Sequence, residues 1–469
     1  MFDHTSRANA VYDVASAKWH TYTELAEEVY RVAETLHVPA KSLVFCFCRN
    51  DYQCLCGYLA GLEAGHASAL LDDGTAASFQ TSLIDLYRPN FIVHSSAAEI
   101  QGTNGEYQLM DKRGPCVWRR KSAPDTVIHN SLALLLSTSG STGTPKFVRL
   151  SLDNLLANAR SIVDGLSIHP GDRAITSLPF HYSYGLSIIN THLLTGASLV
   201  LTNEGLTSRA FWNTVRDLEC SSFAGVPYSY QILHRLGLPG SDFPSLRTMT
   251  QAGGRLENGL VDQFFRNMAA RGGKFFVMYG QTEATARIAI LDPKWLPEKL
   301  GSAGRPISGG AIRIHGDSGP LAPGAVGELV YSGPNVMLGY AVNRSELSAG
   351  DDLKGTLHTG DLGSLDRDGF VYISGRLNRY AKLSGIRLNL DELEAMLKDH
   401  GPSAAVGIED KLVIFCEGLQ ETALSHCRDE LARRLSIHHR LLDFRVIPKL
   451  PLKANGKIDY TLLEQTARC

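Results

Sequence analysis

A chain of 469 residues is too long for one compact core and predicts a large domain with a smaller one. With 44% hydrophobic residues, 20% charged residues and a formal net charge of -2, the composition is that of an ordinary soluble globular protein, which gives no electrostatic reason to expect nucleic acid or an anionic membrane as partner. No stretch approaches the length of a transmembrane helix, and Met1 to Arg7 lacks a cationic leader followed by an apolar run, so the expected compartment is the cytoplasm. In chain order, Tyr22 to Leu36 has a helical pattern and Phe91 to His94 reads as a short apolar strand, which makes the first portion α/β. Nine cysteines, an odd number without an export signal, predict reduced thiols rather than a disulfide framework. Cys46, Cys48, Cys54 and Cys56 form two Cys-x-Cys pairs. Phe45 to Cys48 ends a strand-like run, Gln53 to Leu62 reads as a helix entering the core, and zinc sites favour wider Cys-x2-4-Cys spacing, so these thiols are read as small buried hydrophobes.

The apolar run Leu132 to Leu136 leads straight into Ser137-Thr138-Ser139-Gly140-Ser141-Thr142-Gly143-Thr144-Pro145-Lys146. A buried strand ending in such a loop presents unpaired backbone N–H groups, its glycines let the backbone approach a ligand closely, and its hydroxyls add donors that follow phosphate oxygens. Lys146 supplies a point charge. Because Thr144-Pro145 separates Gly143 from Lys146, and Phe147 follows, this is not the Gly-x-x-x-x-Gly-Lys-Ser/Thr loop of P-loop NTPases. A flexible linker is the other reading, disfavoured by the aliphatic run before it.

Phe147 to Leu150 reads as a returning strand, and Ser151 with Asn154 precedes the helical run Leu155 to Leu166. Ala197 to Leu201 before Ser208 to Leu218, and Phe275 to Met278 before a Tyr279-Gly280 turn, continue the strand-then-helix alternation. Such alternation implies a mostly parallel sheet with its ligand at the carboxyl ends of the strands. From Gly301 onward, glycines and prolines punctuate the short strands Ile312 to Ile314 and Gly327 to Tyr331, and Asp366-Arg367-Asp368-Gly369 reads as a hairpin turn. A helix over Asp391 to Lys398, a strand over Leu412 to Phe415 and a helix over Thr422 to Leu435 make the last portion a small α+β lid.

Further motifs follow the glycine-rich loop: Tyr279-Gly280-Gln281-Thr282-Glu283, Thr359-Gly360-Asp361, Gly375-Arg376, Gly385-Ile386-Arg387 with Glu392, and Asn455-Gly456-Lys457. In this order, spanning about Leu132 to Lys457, they resemble the signatures of the adenylate-forming superfamily of acyl-CoA synthetases, adenylation domains and luciferases. The resemblance implies an α/β fold with a large N-terminal domain over 1–375, built of parallel-sheet α/β subdomains plus a small β-rich subdomain. A hinge at 376–379 and a mobile α+β lid over 380–469 would complete it. It also implies ATP and Mg2+ as cofactors. Thr138, Ser139, Gly140, Ser141, Thr142, Gly143 and Lys146 would hold the β- and γ-phosphates, Thr282 would contact the α-phosphate, and Glu283 would help hold Mg2+. Tyr279, with Gly280 after it, would lie along the adenine, with Gly253 and Gly254 leaving room beside it. Asp361 would accept the ribose hydroxyls, Arg376 would reach ribose or phosphate, and Lys457 would bridge carboxylate and α-phosphate. On residue type alone, Tyr279 to Glu283 reads equally as a helix start with Thr282 as cap, Asp361 as a turn residue and Lys457 as an exposed tail lysine. Two departures stand out. Asn378 occupies the hinge position where an acidic residue is common, and His358 the position where an aromatic residue usually precedes Thr359-Gly360-Asp361.

The segment Leu178-Pro179-Phe180-His181-Tyr182-Ser183-Tyr184-Gly185 resembles the family's aromatic gate beside the acid pocket. His181 stands where enzymes for α-amino acids place an aspartate against the ammonium group, so a simple organic or aryl acid is expected. Tyr182, Tyr184 and Phe223 form either an aromatic slot for it or part of the core. The expected reaction is acid plus ATP to acyl-AMP and pyrophosphate, then transfer to the thiol of CoA or of phosphopantetheine, with Gly385-Ile386-Arg387 serving the second step. Twelve residues follow Lys457, so a carrier protein would act in trans. An amine acceptor, a non-carboxylate oxyacid, or a catalytically silent nucleotide binder are the alternatives. A dinucleotide-dependent dehydrogenase is set aside for want of Gly-x-Gly-x-x-Gly after a strand.

Overall fold

The structure, a computed structural model, describes residues 2–95, 105–122, 124, 126–137, 146–237, 243–316, 319–377, 379–383, 386–408, 411–418, 421–435, 437–453 and 456–468. The predicted phosphate loop at Thr138, Ser139, Gly140, Ser141, Thr142 and Gly143 lies outside these residues, as do Asn378, Gly385, Asn455 and the side chains of Arg387 and Glu392. The chain divides into two compact units, Met1–Ala311 with Tyr331–Leu357, and Ile312–Val330 with His358–Cys469.

The first unit holds two large sheets. In one, strands Lys274–Tyr279, Thr248–Gln251, Ser222–Gly225, Arg173–Ile175, Ser198–Leu201 and Asn9–Asp13 run parallel side by side, with antiparallel strands at both edges. The other has a parallel centre of Leu132–Ser137, Ala67–Asp72, Leu43–Cys48 and Phe91–His94, flanked by antiparallel Phe147–Ser151 and Gly339–Ala341 on one side. On the other side lies the hairpin Tyr107–Asp111/Cys116–Arg120, which the sequence reading passed over. Parallel strands covered on both faces need no apolar–polar alternation, and Leu43 to Cys48 is buried at every position. Cys46, Cys48, Cys54 and Cys56 are all buried, and burial pushes the Cys46 and Cys56 thiols up.

Helix boundaries follow local chemistry. Tyr22–Leu36 starts on a capping box between Thr21 and Glu24. Leu152–Leu166 begins three residues earlier than the periodicity suggests, because Ser151 caps it and the Asn154 side chain bonds back to the Ser151 N–H. In the second unit Thr356–Leu365 and Val371–Arg376 pair around the predicted turn within a five-stranded sheet, and Ser403–Ile408, Lys411–Glu417 and Leu442–Ile447 form a three-stranded one. Leu390–Met396, Glu421–Leu435 and Tyr460–Arg468 are the unit's α-helices. Among the described residues no helix is long and apolar enough to cross a membrane.

Candidate functional site

Four parallel strands of the first sheet end on the same edge, which brings together the segments after Ile175, Gly225, Gln251 and Tyr279. Helix Ser183–Thr195 starts there without a side-chain cap, leaving its first N–H groups to other partners, and the Ser183 hydroxyl lies 3.1 Å from that of Thr282. Thr282 opens a short 3-10 turn, Thr282–Ala284, whose N-cap is Gln281, so Thr282 is not the capping residue of a helix.

The turn after Tyr279 is tightly constrained. A Cβ on Gly280 would stand 1.9 Å from the carbonyl oxygen of Ala286, so only glycine fits. Thr285 and Ala286 have φ of 59° and 115°, a strained backbone for residues with a Cβ. Asn335, 1% exposed, donates to the carbonyls of Ala284 (2.7 Å) and Arg287 (2.9 Å) and accepts from the Tyr331 hydroxyl, while Thr285 donates to the Asn335 carbonyl. Nothing in the sequence marked Asn335; its pattern Gly-Pro-Asn reads only as a turn.

Glu283 and Lys146 converge on Tyr340. The tyrosine hydroxyl donates to Glu283 Oε1 at 2.9 Å, and the Lys146 ammonium stands 3.1 Å from the ring centroid. Register explains the meeting: Lys146 directly precedes strand Phe147–Ser151, in which Val148 pairs with Tyr340. Fully buried Arg149 clamps this edge, donating to the Tyr340 and Gly350 carbonyls and to the Asp352 carboxylate. Burial and the Glu283 carboxylate hold the Tyr340 hydroxyl above its ordinary range. Tyr340 escaped the sequence reading, where a Gly-Tyr step among glycine-punctuated strands gave little to distinguish it.

On the neighbouring strand ends, Gly253 has φ of 85°, and a Cβ there would meet the Tyr182 hydroxyl at 2.6 Å. The Gln251 amide holds the Gly254 carbonyl at 2.7 Å. Absence of a side chain at Gly253 therefore lets Tyr182 close over this edge. Tyr184 is buried and anchored through its hydroxyl to Thr250, and Phe223 packs edge-on against Phe211 and Tyr230. Phe223 thus packs into the aromatic core and, with Tyr184, also lines a cavity beside it. Among the described residues His181 Nδ1 has no hydrogen-bond partner, and burial lowers the imidazole's pKa against the pull of Asp72.

In the second unit, Asp361 is 3% exposed and accepts from Arg376 Nε at 2.6 Å across the register that pairs these two residues. The Thr359 hydroxyl donates to the Leu329 carbonyl and accepts from the Asp361 N–H, so Thr359 sets the aspartate's backbone. His358 pairs with Glu328, which also receives the Gly360 N–H. Lys457 is exposed at the end of a turn in which the Gly456 N–H donates to the Lys453 carbonyl and Gly456 has φ of 76°.

Residues 3–341 match the family described as AMP-binding enzyme, well over half of the chain. The chain belongs to that family, within the adenylate-forming superfamily. A feruloyl-CoA synthase from Amycolatopsis sp is 31% identical over 286 residues, covering 60% of this chain and 57% of the relative. The 2-succinylbenzoate–CoA ligase of Bacillus subtilis (strain 168) is 30% identical, covering 70% of this chain and 68% of the relative. The fold agrees with that of o-succinylbenzoate CoA synthetase (MenE) from Bacillus subtilis, solved with its acyl-adenylate intermediate OSB-AMP. That similarity has a TM-score of 0.80 at 24% identity and covers 98% of this chain and 95% of that one.

Proposed function

We propose that this protein activates a small carboxylic acid with ATP, giving acyl-AMP and pyrophosphate, and passes the acyl group to the thiol of CoA. The observation that carries the reading is the convergence of Lys146 and Glu283 on Tyr340, beside the Thr282–Ser183 contact at an uncapped helix start. A cation, a carboxylate and open N–H donors are what two anions need if they are to react. The CoA-ligase names of the relatives agree with it.

Glu283 suits magnesium. Its carboxylate has one oxygen steered by the Tyr340 hydroxyl and carries no lysine or arginine ion pair among the described residues. No cluster of three or more His, Cys, Asp or Glu able to hold a metal occurs among those residues, so the ion would arrive with the nucleotide, held by Glu283 and phosphate oxygens. When bound, it would offset triphosphate charge. Lys146 with the 138–145 loop would take the β- and γ-phosphates, Thr282 the α-phosphate, Tyr279 and Gly280 with Gly253 and Gly254 the adenine side, and Asp361 with Arg376 the ribose. The Asp361–Arg376 pair would then open to share its donors and acceptors with the sugar. Lys457, on a lid of residues 380–469 hinged at 376–379, would bridge carboxylate and α-phosphate. A phosphopantetheine carrier in trans is the alternative acceptor.

Acid-dependent ATP–pyrophosphate exchange with Mg2+, over a panel of aryl, fatty, dicarboxylic, amino and inorganic oxyacids, tests the first half-reaction. CoA-thioester formation from the acid that responds tests the second. Exchange with one class of acid is the expected result; ATP binding without any exchange would sink the reading in favour of a silent nucleotide binder.

A further inference from the structure

Along the helix that Ser183 opens, the first unit holds a cavity of about 40 Å3, space for a small polar group or a few waters. Its wall includes Tyr184, Ser187, His192, Thr250 and Arg287. Arg287 is 1% exposed, in the apolar run Ala286-Arg287-Ile288-Ala289-Ile290. A guanidinium so deeply buried ordinarily has a carboxylate beside it, since a lone buried charge is strongly unfavourable. Arg287 has none among the described residues. Among those residues its Nε has no hydrogen-bond partner, its Nη2 reaches only the Ser187 hydroxyl at 3.5 Å, and its charge rests against the Tyr184 ring at 4.6 Å. Asp172, the acidic residue on the cavity wall, is engaged elsewhere by Ser221, Arg247 and the His169 N–H.

The backbone fixes this arginine in place. Thr285 and Ala286 are held with positive φ, and Asn335 grips the Arg287 carbonyl, so the side chain is aimed by the same strained turn that carries Thr282 and Glu283. Strain of this kind persists where the surroundings enforce it, characteristically at ligand clamps. Ser183 and Ser187 lie one turn apart on the same helix, a rise of about 6 Å. An acid whose reacting carboxylate sits at Thr282 and Ser183 would therefore bring the far end of a short chain or single ring to Arg287.

We propose that Arg287 is a specificity-determining residue that receives a second oxyanion of the substrate, a carboxylate or a sulfonate, so that the acid activated here is a short diacid. The inference rests on the adenylation reading for the role of the first carboxylate. A bound oxyanion would supply the fork partner that a guanidinium is built to take and that the cavity wall does not provide. His192 does not compete as a cation, because its Nδ1 is 2.8 Å from the Ile188 carbonyl and burial lowers its pKa.

The test compares matched acids in pyrophosphate exchange: succinate with butyrate, glutarate with valerate, and 3-sulfopropionate with both three-carbon and four-carbon monoacids. The expected result is a preference for the doubly anionic member on the order of 10- to 100-fold in kcat/KM, the range for a hydrogen bond to a charged group. Carboxylate against sulfonate within the set identifies the oxyanion. Arg287→Met should erase the preference and Arg287→Lys should keep part of it. Equal use of monoacids by the native enzyme, or a preference that survives in Arg287→Met, overturns the proposal. Should no acid support exchange, the adenylation reading fails, and calorimetric titration of the same diacids judges the subsite by itself. Binding that Arg287→Met abolishes upholds it, and no binding to the native protein overturns it.

Discussion

At the scale of single residues, Lys457 and Tyr340 make contrasting cases. Lys457 belongs to a motif legible in the sequence and stands exposed on its turn, so its proposed role depends on where that turn is delivered. Lys457→Ala should lower exchange by about two to three orders of magnitude, the scale for losing one transition-state donor, while calorimetric ATP affinity changes little. Unchanged exchange in that variant removes the assignment. Tyr340, by contrast, became visible only when strand register laid it between Lys146 and Glu283. Tyr340→Phe keeps the ring under the ammonium but takes the donor from Glu283, and should weaken apparent Mg2+ affinity by about 1 kcal/mol. Tyr340→Ala should lose roughly 1 kcal/mol more as the cation–π contact goes. A magnesium titration of the exchange rate separates the two.

At the scale of elements, the turn 280–287 is held from outside itself. Its neighbour Asn335 satisfies two of its carbonyls, so Asn335→Ala leaves buried acceptors and the Tyr331 hydroxyl without that partner. Urea unfolding should register a loss of about 1–3 kcal/mol. Gly280→Ala should do worse, because the obstacle is the backbone of Ala286 and no side chain can rotate out of the way. A Gly280→Ala protein of native stability and full exchange would refute this account of the turn. Strand-then-helix alternation was legible in the sequence where an apolar strand precedes a helix with its own start signal, as at Ser151 and Ser208. The hairpin Tyr107–Asp111/Cys116–Arg120 was not, since its first strand exposes Gln108, Leu109 and Met110 and so lacks clean alternation.

At the scale of the whole molecule, burial of histidine sets a pH limit. Burial lowers the pKa values of His66, His181 and His192 from the ordinary 6.5. Below 6.5 the unfolded chain takes up protons that the folded chain refuses, so the stability these neutral rings contribute is complete above pH 6.5 and is lost as pH falls from there toward their folded values. Asp111, whose carboxyl Arg113 and Arg31 hold well below 3.8, loses its contribution only in much stronger acid. Urea midpoints should therefore fall between pH 6.5 and 5, and His192→Asn should flatten that slope. A midpoint independent of pH over this range contradicts the assignment of neutral buried histidines.

Family, sheet type and the order of the motifs were determined by the sequence itself, because each is written in contiguous residues: an apolar strand, a glycine that admits a tight turn, a hydroxyl or cation at a set offset. Asp361 facing Arg376, Asn335 gripping the 280–287 turn, Tyr340 between Lys146 and Glu283, and Arg287 unpaired against a cavity were decided by tertiary structure alone. Each joins residues 15 to nearly 200 positions apart, or depends on what fails to pack beside a side chain. Strand register and close packing set those neighbours, and neither is expressed in the local pattern of any one segment.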